Sequence, residues 1–211
     1  MLSPSLSTQH SDTQDAGTVD GDFIISVFDA ALPFLDSIGS HEQWGSTPFS
    51  HRKGWAEETL QQIRDSEHYR LTGAGDASRI FIVEREWPPK SAEILDVNQV
   101  HSRVAVDGQR FLAVGFAFVR ENWIPSYIMS QHHLHIGDAE RESAVYFEVL
   151  ATDRRVGSLG RGAGVVLIRG VRNYSRSRQK QMLYMDGWAG NEKKLVRFIF
   201  AASAYPWNCK T

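Results

Sequence analysis

Closely spaced glycines mark a loop at residues 159–164, which reads Leu-Gly-Arg-Gly-Ala-Gly. Because glycine has no Cβ, such a loop lets the backbone approach an anion and direct successive N–H groups at it. The loop stands between an apolar, strand-like run and an amphipathic helical segment, whose N-terminus adds a favourable dipole. The spacing therefore predicts a pyrophosphate-binding turn made mainly of backbone amides.

A P-loop is the first alternative for these glycines. Gly157 and Gly162 bracket four residues, as that motif requires. However, Ala163 and Gly164 stand where the lysine and the magnesium-binding hydroxyl should be. Without them nucleotide hydrolysis loses its charge stabilisation, and the pattern excludes that activity.

A dinucleotide-binding module is the second alternative. Its fingerprint needs a third glycine after Gly160 and Gly162, and Val165 occupies that position. Asp186, at the end of the next strand-like run, does resemble the acid that binds a ribose. A dinucleotide-binding half needs further strand–helix units, and the sequence shows only one strand–loop–helix–strand unit. This alternative is therefore less favoured than the pyrophosphate-binding turn of another fold.

The helices and strands around the loop are predicted from hydrophobic periodicity and from residues that break helices and strands. We expect a polar, disordered tail over residues 1–20 and a single domain over 21–211. An insertion with a weak strand near 104–106 is expected over residues 87–109. Strands are predicted at 23–28, 80–84, 111–120, 144–151 and 181–185, and helices at 30–38, 51–69 and 163–178 and from Asn191 onward.

Composition limits the classes of function. The chain has 211 residues, 42% hydrophobic and 23% charged, which is typical of a soluble globular protein. A formal net charge of −2 gives no reason to expect a nucleic acid or membrane partner. A single cysteine, Cys209, excludes an internal disulfide, and no secretory signal is recognisable, so a cytoplasmic location is expected.

Several segments together resemble the GCN5-related N-acetyltransferase family, including its fungal and bacterial members. Gly162 and Gly164 match the central Gln/Arg-x-x-Gly-x-Gly/Ala motif, and residues 148–153 resemble the family's fourth strand and its exit. Residues 183–191 resemble its fifth strand and the asparagine-led start of its last helix. The similarity covers about residues 20–199. It implies an α/β fold with a mixed, largely antiparallel sheet flanked by helices and a shortened C-terminal end.

The resemblance implies acetyl-CoA as co-substrate. In such a site the fourth strand splays from the fifth at a bulge, and its backbone groups hydrogen-bond the pantetheine arm. Arg161 would add charge to the amides of the loop. The implied cofactor-binding residues are Val149, Leu150, Ala151, Leu159, Gly160, Arg161, Gly162, Ala163, Gly164 and Asn191.

Acetyl transfer to an amine requires a base for the amine and an acid for the departing thiolate. Glu148 is the predicted base, because it is the one acid inside the buried strand, where we expect desolvation to raise its pKa. The alternative is a structural glutamate paired with an arginine. Tyr184 is the predicted acid, and Tyr205 is a weaker choice. The alternative for Tyr184 is a core residue with a satisfied hydroxyl, and the alternative for Tyr205 is a residue of the C-terminal tail without a catalytic role.

His132, His133 and His135 form a dense cluster, but no cysteine or third partner at zinc-ligand spacing accompanies them. We predict a solvent-exposed loop and no metal site. Arginines along the helix over 163–178 are predicted to form a solvated face.

The chain departs from the family pattern in two places. Leu159 replaces the motif's Gln or Arg, and residues 201–211 are too short for a final pair of strands. The predicted function is acetyl transfer to a primary amine, with a small-molecule acceptor preferred to a peptide and a homodimer left open. A truncated acyl-CoA-binding protein without catalysis is the alternative from another class.

Overall fold

The computed structural model describes residues 14–87 and 100–203. Its helices are α1 (Gln14–Ser37), α2 (Trp55–Thr72), α3 (Ser126–Met129), α4 (Asp138–Glu142), α5 (Ala163–Ser177) and α6 (Lys194–Ser203). Its strands are β1 (Ser78–Glu86), β2 (Ser102–Val104), β3 (Arg110–Glu121), β4 (Ala144–Thr152) and β5 (Met182–Met185).

The first helix corrects the sequence prediction. Residues 23–28 are helical and not a strand, and α1 begins at Gln14, inside the expected tail. The apolar residues recur in pairs four positions apart, which places them on one helical face. That face is buried and comprises Phe23, Ile24, Val27, Phe28, Ala31 and Leu32.

Asp29 lies within α1, and its Oδ1 accepts the backbone N–H of Phe49 at 2.5 Å, which joins α1 to the turn Phe49–His51. The predicted second helix is confirmed as α2: Thr59, Ile63 and Ser66 form its buried face, and Gly73, at φ 69°, ends it.

The strands form one five-stranded sheet in the order β1-β3-β4-β5, with β2 paired to β3. All of these pairs are antiparallel except β4 with β5, which is parallel. Helix α5 connects β4 to β5, as a parallel pair requires. The mixed, mainly antiparallel sheet flanked by helices confirms the predicted fold class.

Two cores cover the two faces of the sheet. One lies under α5 and includes Leu167, Ile168 and Val171. The other lies under α1 and α2 and includes Phe28, Ile63 and Phe116. Gly115 in β3 permits a close approach of β4, because a Cβ there would lie 2.7 Å from the carbonyl oxygen of Ala151.

Candidate functional site

Strands β4 and β5 separate in the middle of β4. Their pairing starts at Ala144 with Met182 and ends at Phe147 with Met185. Strand β4 continues to Thr152 along β3. Beyond Phe147, the edge of β4 that faces away from β3 has no strand partner among the described residues, so its peptide groups can bind an extended ligand.

A β-bulge lies where the separation begins. Val119 pairs with Phe147 and Phe118 with Val149, which leaves Glu148 as the extra residue of β4. An extra residue exchanges the two faces of the strand. Phe147 accordingly packs in the core under α5, whereas Val149 packs in the core under α1 and α2. The predicted splay and bulge are both present, with Glu148 at the bulge.

Two adjoining cavities occupy the space opened by the splay. The first, of ≈ 610 Å³, is lined by Leu150, Ala151 and the loop glycines. The second, of ≈ 530 Å³, is lined by Glu148, Val149, Leu150 and Asp186. They share the wall residues Gln43, Trp44, Leu150, Trp188, Gly190 and Leu195. We refer to them as the loop cavity and the bulge cavity.

The glycine loop forms one end of the loop cavity. Gly162 precedes the first residue of α5 at φ 88° and ψ −9°, a left-handed conformation that favours glycine. Gly160, Gly162 and Gly164 all line the cavity. The first amides of α5 have no acceptor within the helix and are available to an anion. Arg85 fixes the loop from behind by donating to the carbonyl of Leu159 at 2.8 Å.

Asn191 also lines the loop cavity. It opens the turn Asn191–Lys193, so the last helix, α6, begins at Lys194 and not at Asn191 as predicted. Three consecutive residues there, Asn191, Glu192 and Lys193, have φ values of 49°, 55° and 59°. Left-handed backbone costs a residue with a side chain about 1–2 kcal/mol. Strain of this kind concentrates at ligand-binding segments.

The loop cavity has a positive character. Its only charged wall residues, within the part of the chain that the structure describes, are Arg154 and Lys194. The guanidinium carbon of Arg154 lies 3.2 Å from the ring centroid of Phe34 in α1. Desolvation lowers the pKa of Arg154.

The bulge cavity has the opposite character. Among the residues described, its only charged wall residues are Glu148 and Asp186. Arg120 Nε donates to Glu148 Oε2 at 3.0 Å, and the Glu148 side chain remains 30% exposed. Asp186 accepts hydrogen bonds from Tyr146 at 2.5 Å and Tyr127 at 2.7 Å. The alternative of a glutamate paired with an arginine is therefore present, with Arg120 as the partner, and Glu148 also lines the cavity.

The structure places several predicted residues away from both cavities. The Tyr184 side chain is buried, and its hydroxyl donates to Glu140, so it cannot reach a departing thiolate. Burial raises the pKa of Tyr184. Arg161 is exposed and lines neither cavity. The side chains of Leu159 and Ala163 pack against the core under α5, which leaves only the backbone groups of these residues for a ligand.

Residues that the sequence did not reveal complete the walls. Arg154 and Lys194 flank the loop cavity, and Phe34, Leu35 and Ile38 of α1 form its apolar side. Arg154 follows directly after the buried strand and its exit, a position that could have signalled it. A strand at residues 23–28 followed by a separate helix at 30–38 does not predict that Phe34, Leu35 and Ile38 line a cavity. Tyr205 lies outside the described residues.

The histidine cluster lies in the exposed turn His132–Leu134 and just after it. Over residues 14–87 and 100–203, no group of three His, Cys, Asp or Glu side chains could hold a metal ion. No helix in these segments is long and apolar enough to cross a membrane.

Comparisons with known proteins add little to this geometry. No protein-family model matches the sequence, and no curated protein matches it. Among solved structures, the chain is similar to YycN of Bacillus subtilis, which is named as a candidate acetyltransferase. The alignment covers 100% of this chain and 94% of that chain, at 11% identity and a TM-score of 0.35. A likeness at this level assigns neither family nor activity, so the functional assignment depends on the site itself.

Proposed function

We propose that this chain is an acetyl-CoA-dependent N-acetyltransferase of the GCN5-related type that acts on a small-molecule primary amine. The observation that carries the proposal is the paired cavity at the splay of β4 and β5. Its loop end offers backbone amides and cations to phosphates. Its bulge end offers carboxylates to an amine. A phosphorylated acyl donor and a cationic acceptor would thus meet along the unpaired edge of β4.

The chemistry follows from this arrangement. The donor's pyrophosphate binds at the start of α5, and its pantetheine amides pair with the open edge of β4. Glu148 removes the proton from the acceptor's ammonium, and the free amine attacks the thioester carbonyl. The new C–N bond forms as the C–S bond breaks. The acylated nitrogen then loses its extra proton to solvent, and the departing thiolate takes a proton from solvent and leaves as CoA. Holding both reactants in one groove supplies the proximity that the reaction needs.

The alternative without catalysis has one observation in its favour. No tyrosine lines either cavity in the part of the chain described, so the departing thiolate has no tyrosine acid there. A dinucleotide-binding module is less well supported. The sheet has one parallel pair, β4 with β5, and the other strand pairs are antiparallel.

Two measurements on the intact chain test the proposal. Calorimetry should detect acetyl-CoA binding, and release of free CoA should depend on an added primary amine. Absence of acetyl-CoA binding would contradict the proposal and the alternative together. Binding without CoA release, on a panel of monoamines, diamines and amino acids, would favour the acyl-CoA-binding protein.

Asp186 provides a test of the acceptor end. Replacing a charged hydrogen-bonding group costs about 1.5–3 kcal/mol. We therefore expect Asp186→Asn to raise the KM of the amine at least about tenfold while the Kd of acetyl-CoA is unchanged. Asp138→Asn is the matched control, because Asp138 lies on α4 and lines neither cavity. Equal amine KM values in both variants would exclude Asp186 from acceptor binding.

A further inference from the structure

Arg154 contacts an aromatic ring, and its N–H groups make no hydrogen bond to the residues that the structure describes. It follows β4 after one intervening residue and lies at the wall of the loop cavity. Its guanidinium carbon lies 3.2 Å from the ring centroid of Phe34 in α1. A cation over an aromatic ring is attracted by the ring's quadrupole, and this contact uses no hydrogen-bond acceptor. The donors are therefore free to bind a ligand.

The neighbouring residues show that this arrangement differs from a structural ion pair. Asp153 is buried and accepts hydrogen bonds from Arg155 Nε at 2.9 Å and Arg155 Nη2 at 2.8 Å. The guanidinium of Arg155 is thus used to fix Asp153, the residue that follows β4. Across residues 14–87 and 100–203, the side chain of Arg154 makes neither a hydrogen bond nor an ion pair.

The surroundings of Arg154 indicate which charge its ligand carries. The described wall of the loop cavity contains no carboxylate, and Lys194 is its other charged residue. Gly160, Gly162 and Gly164, with the first amides of α5, form another part of the same wall. Arginine's planar donors match the oxygens of a phosphate. Two cations and a row of amides around one cavity therefore fit a phosphoryl group.

We propose that Arg154 is a phosphate-binding residue that holds the pyrophosphate of the CoA donor against the glycine loop. The inference rests on the proposed function and assigns to Arg154 the role that the sequence suggested for Arg161. Arg154 and Arg161 are both exposed, but Arg154 lines the loop cavity and Arg161 does not. Phe34 keeps the guanidinium in place before the donor arrives, which reduces the entropy lost on binding.

Calorimetry with three ligands tests this role. The intact chain, Arg154→Gln and the control Arg169→Gln are titrated with CoA, with dephospho-CoA, which lacks the 3′-phosphate, and with pantetheine, which lacks every phosphate. Arg169 is exposed on α5 and lines neither cavity. Arg154→Gln is expected to raise the Kd of CoA and of dephospho-CoA at least about tenfold, the usual effect of losing a charge-assisted hydrogen bond. Pantetheine binding should be the same in all three proteins, and Arg169→Gln should bind CoA like the parent.

The outcomes separate this inference from the proposed function. Failure of the parent to bind CoA would overturn both. Parent binding with an unchanged Kd in Arg154→Gln would overturn only the role of Arg154. A loss seen with CoA but not with dephospho-CoA would assign Arg154 to the 3′-phosphate and contradict the pyrophosphate assignment. A loss that extends to pantetheine would mean that Arg154 shapes the cavity. Arg154→Lys, which keeps the charge but not the planar donors, should give an intermediate Kd.

Discussion

Replacing Glu148 by glutamine is expected to lower kcat at least about 100-fold and to leave the Kd of acetyl-CoA unchanged. A positioned general base contributes about 10²–10⁴ to the rate, and glutamine cannot accept the proton of the acceptor's ammonium. The change keeps the volume of the side chain and an oxygen for the hydrogen bond with Arg120. The loss should therefore report chemistry and not packing, measured as CoA released per enzyme with saturating amine.

The pH dependence distinguishes a base from a positioning residue. As the pH approaches the pKa of the acceptor amine, the amine loses its proton to solvent and needs the enzyme's base less. The deficit of Glu148→Gln should shrink accordingly at high pH, whereas a deficit from misplacement would persist. Asp76→Asn is the matched control, since Asp76 also faces Arg120, at 3.9 Å, but lines neither the loop cavity nor the bulge cavity. Parent-like turnover in Glu148→Gln would leave Glu148 as a structural partner of Arg120.

The site's backbone was more predictable from sequence than its walls. Glycine spacing located the turn before α5, because left-handed backbone and close approach to an anion depend on one residue type. The apolar run of residues 144–151 identified β4, since a strand covered on both faces has few polar positions. The family resemblance implied a bulge in β4, but its position at Glu148 came only from the structure. Periodicity alone would not have shown it, because a one-residue register shift leaves no pattern in a single strand.

The main error was the prediction of a strand within α1, which was based on only six residues, 23–28. Residues 23–28 are apolar and partly β-branched, which suits a buried strand as well as a buried helix. Extending the window to Ala31 and Leu32 reveals the helical period that the structure shows. The error had consequences at the site, because Phe34, Leu35 and Ile38 belong to the same helix and line the loop cavity.

Side-chain direction explains the other differences at the site. Arg154 and Arg161 are both cations close to the glycine loop in sequence, and only Arg154 reaches the cavity. The difference depends on Phe34, which is distant in sequence and whose ring contacts the guanidinium of Arg154. The hydroxyl of Tyr184 similarly donates its hydrogen bond to Glu140, which lies outside the site. Long-range partners of this kind are not encoded in local spacing.

The second large effect is expected from the loop itself: Gly162→Val should raise the Kd of acetyl-CoA at least about tenfold, equivalent to ~1.4 kcal/mol. A Cβ at Gly162 would meet no heavy atom within 4 Å, so crowding in the free protein is not the reason. The reason is its φ of 88°, which a β-branched residue adopts only with strain. Relief of that strain would rotate the peptide groups at the start of α5 and turn their N–H donors away from the phosphates.

Gly108→Val provides the control that separates binding from general destabilisation. Gly108 has a φ of 83° and also has no heavy atom within 4 Å of an added Cβ. It lies in the turn between β2 and β3 and lines neither cavity. Both variants should therefore lose a similar free energy of unfolding, about 1–2 kcal/mol, but only Gly162→Val should bind acetyl-CoA more weakly. Equal affinities in the two variants would show that the glycine at position 162 serves the fold alone, and the anion would then have to bind without the amides that follow it.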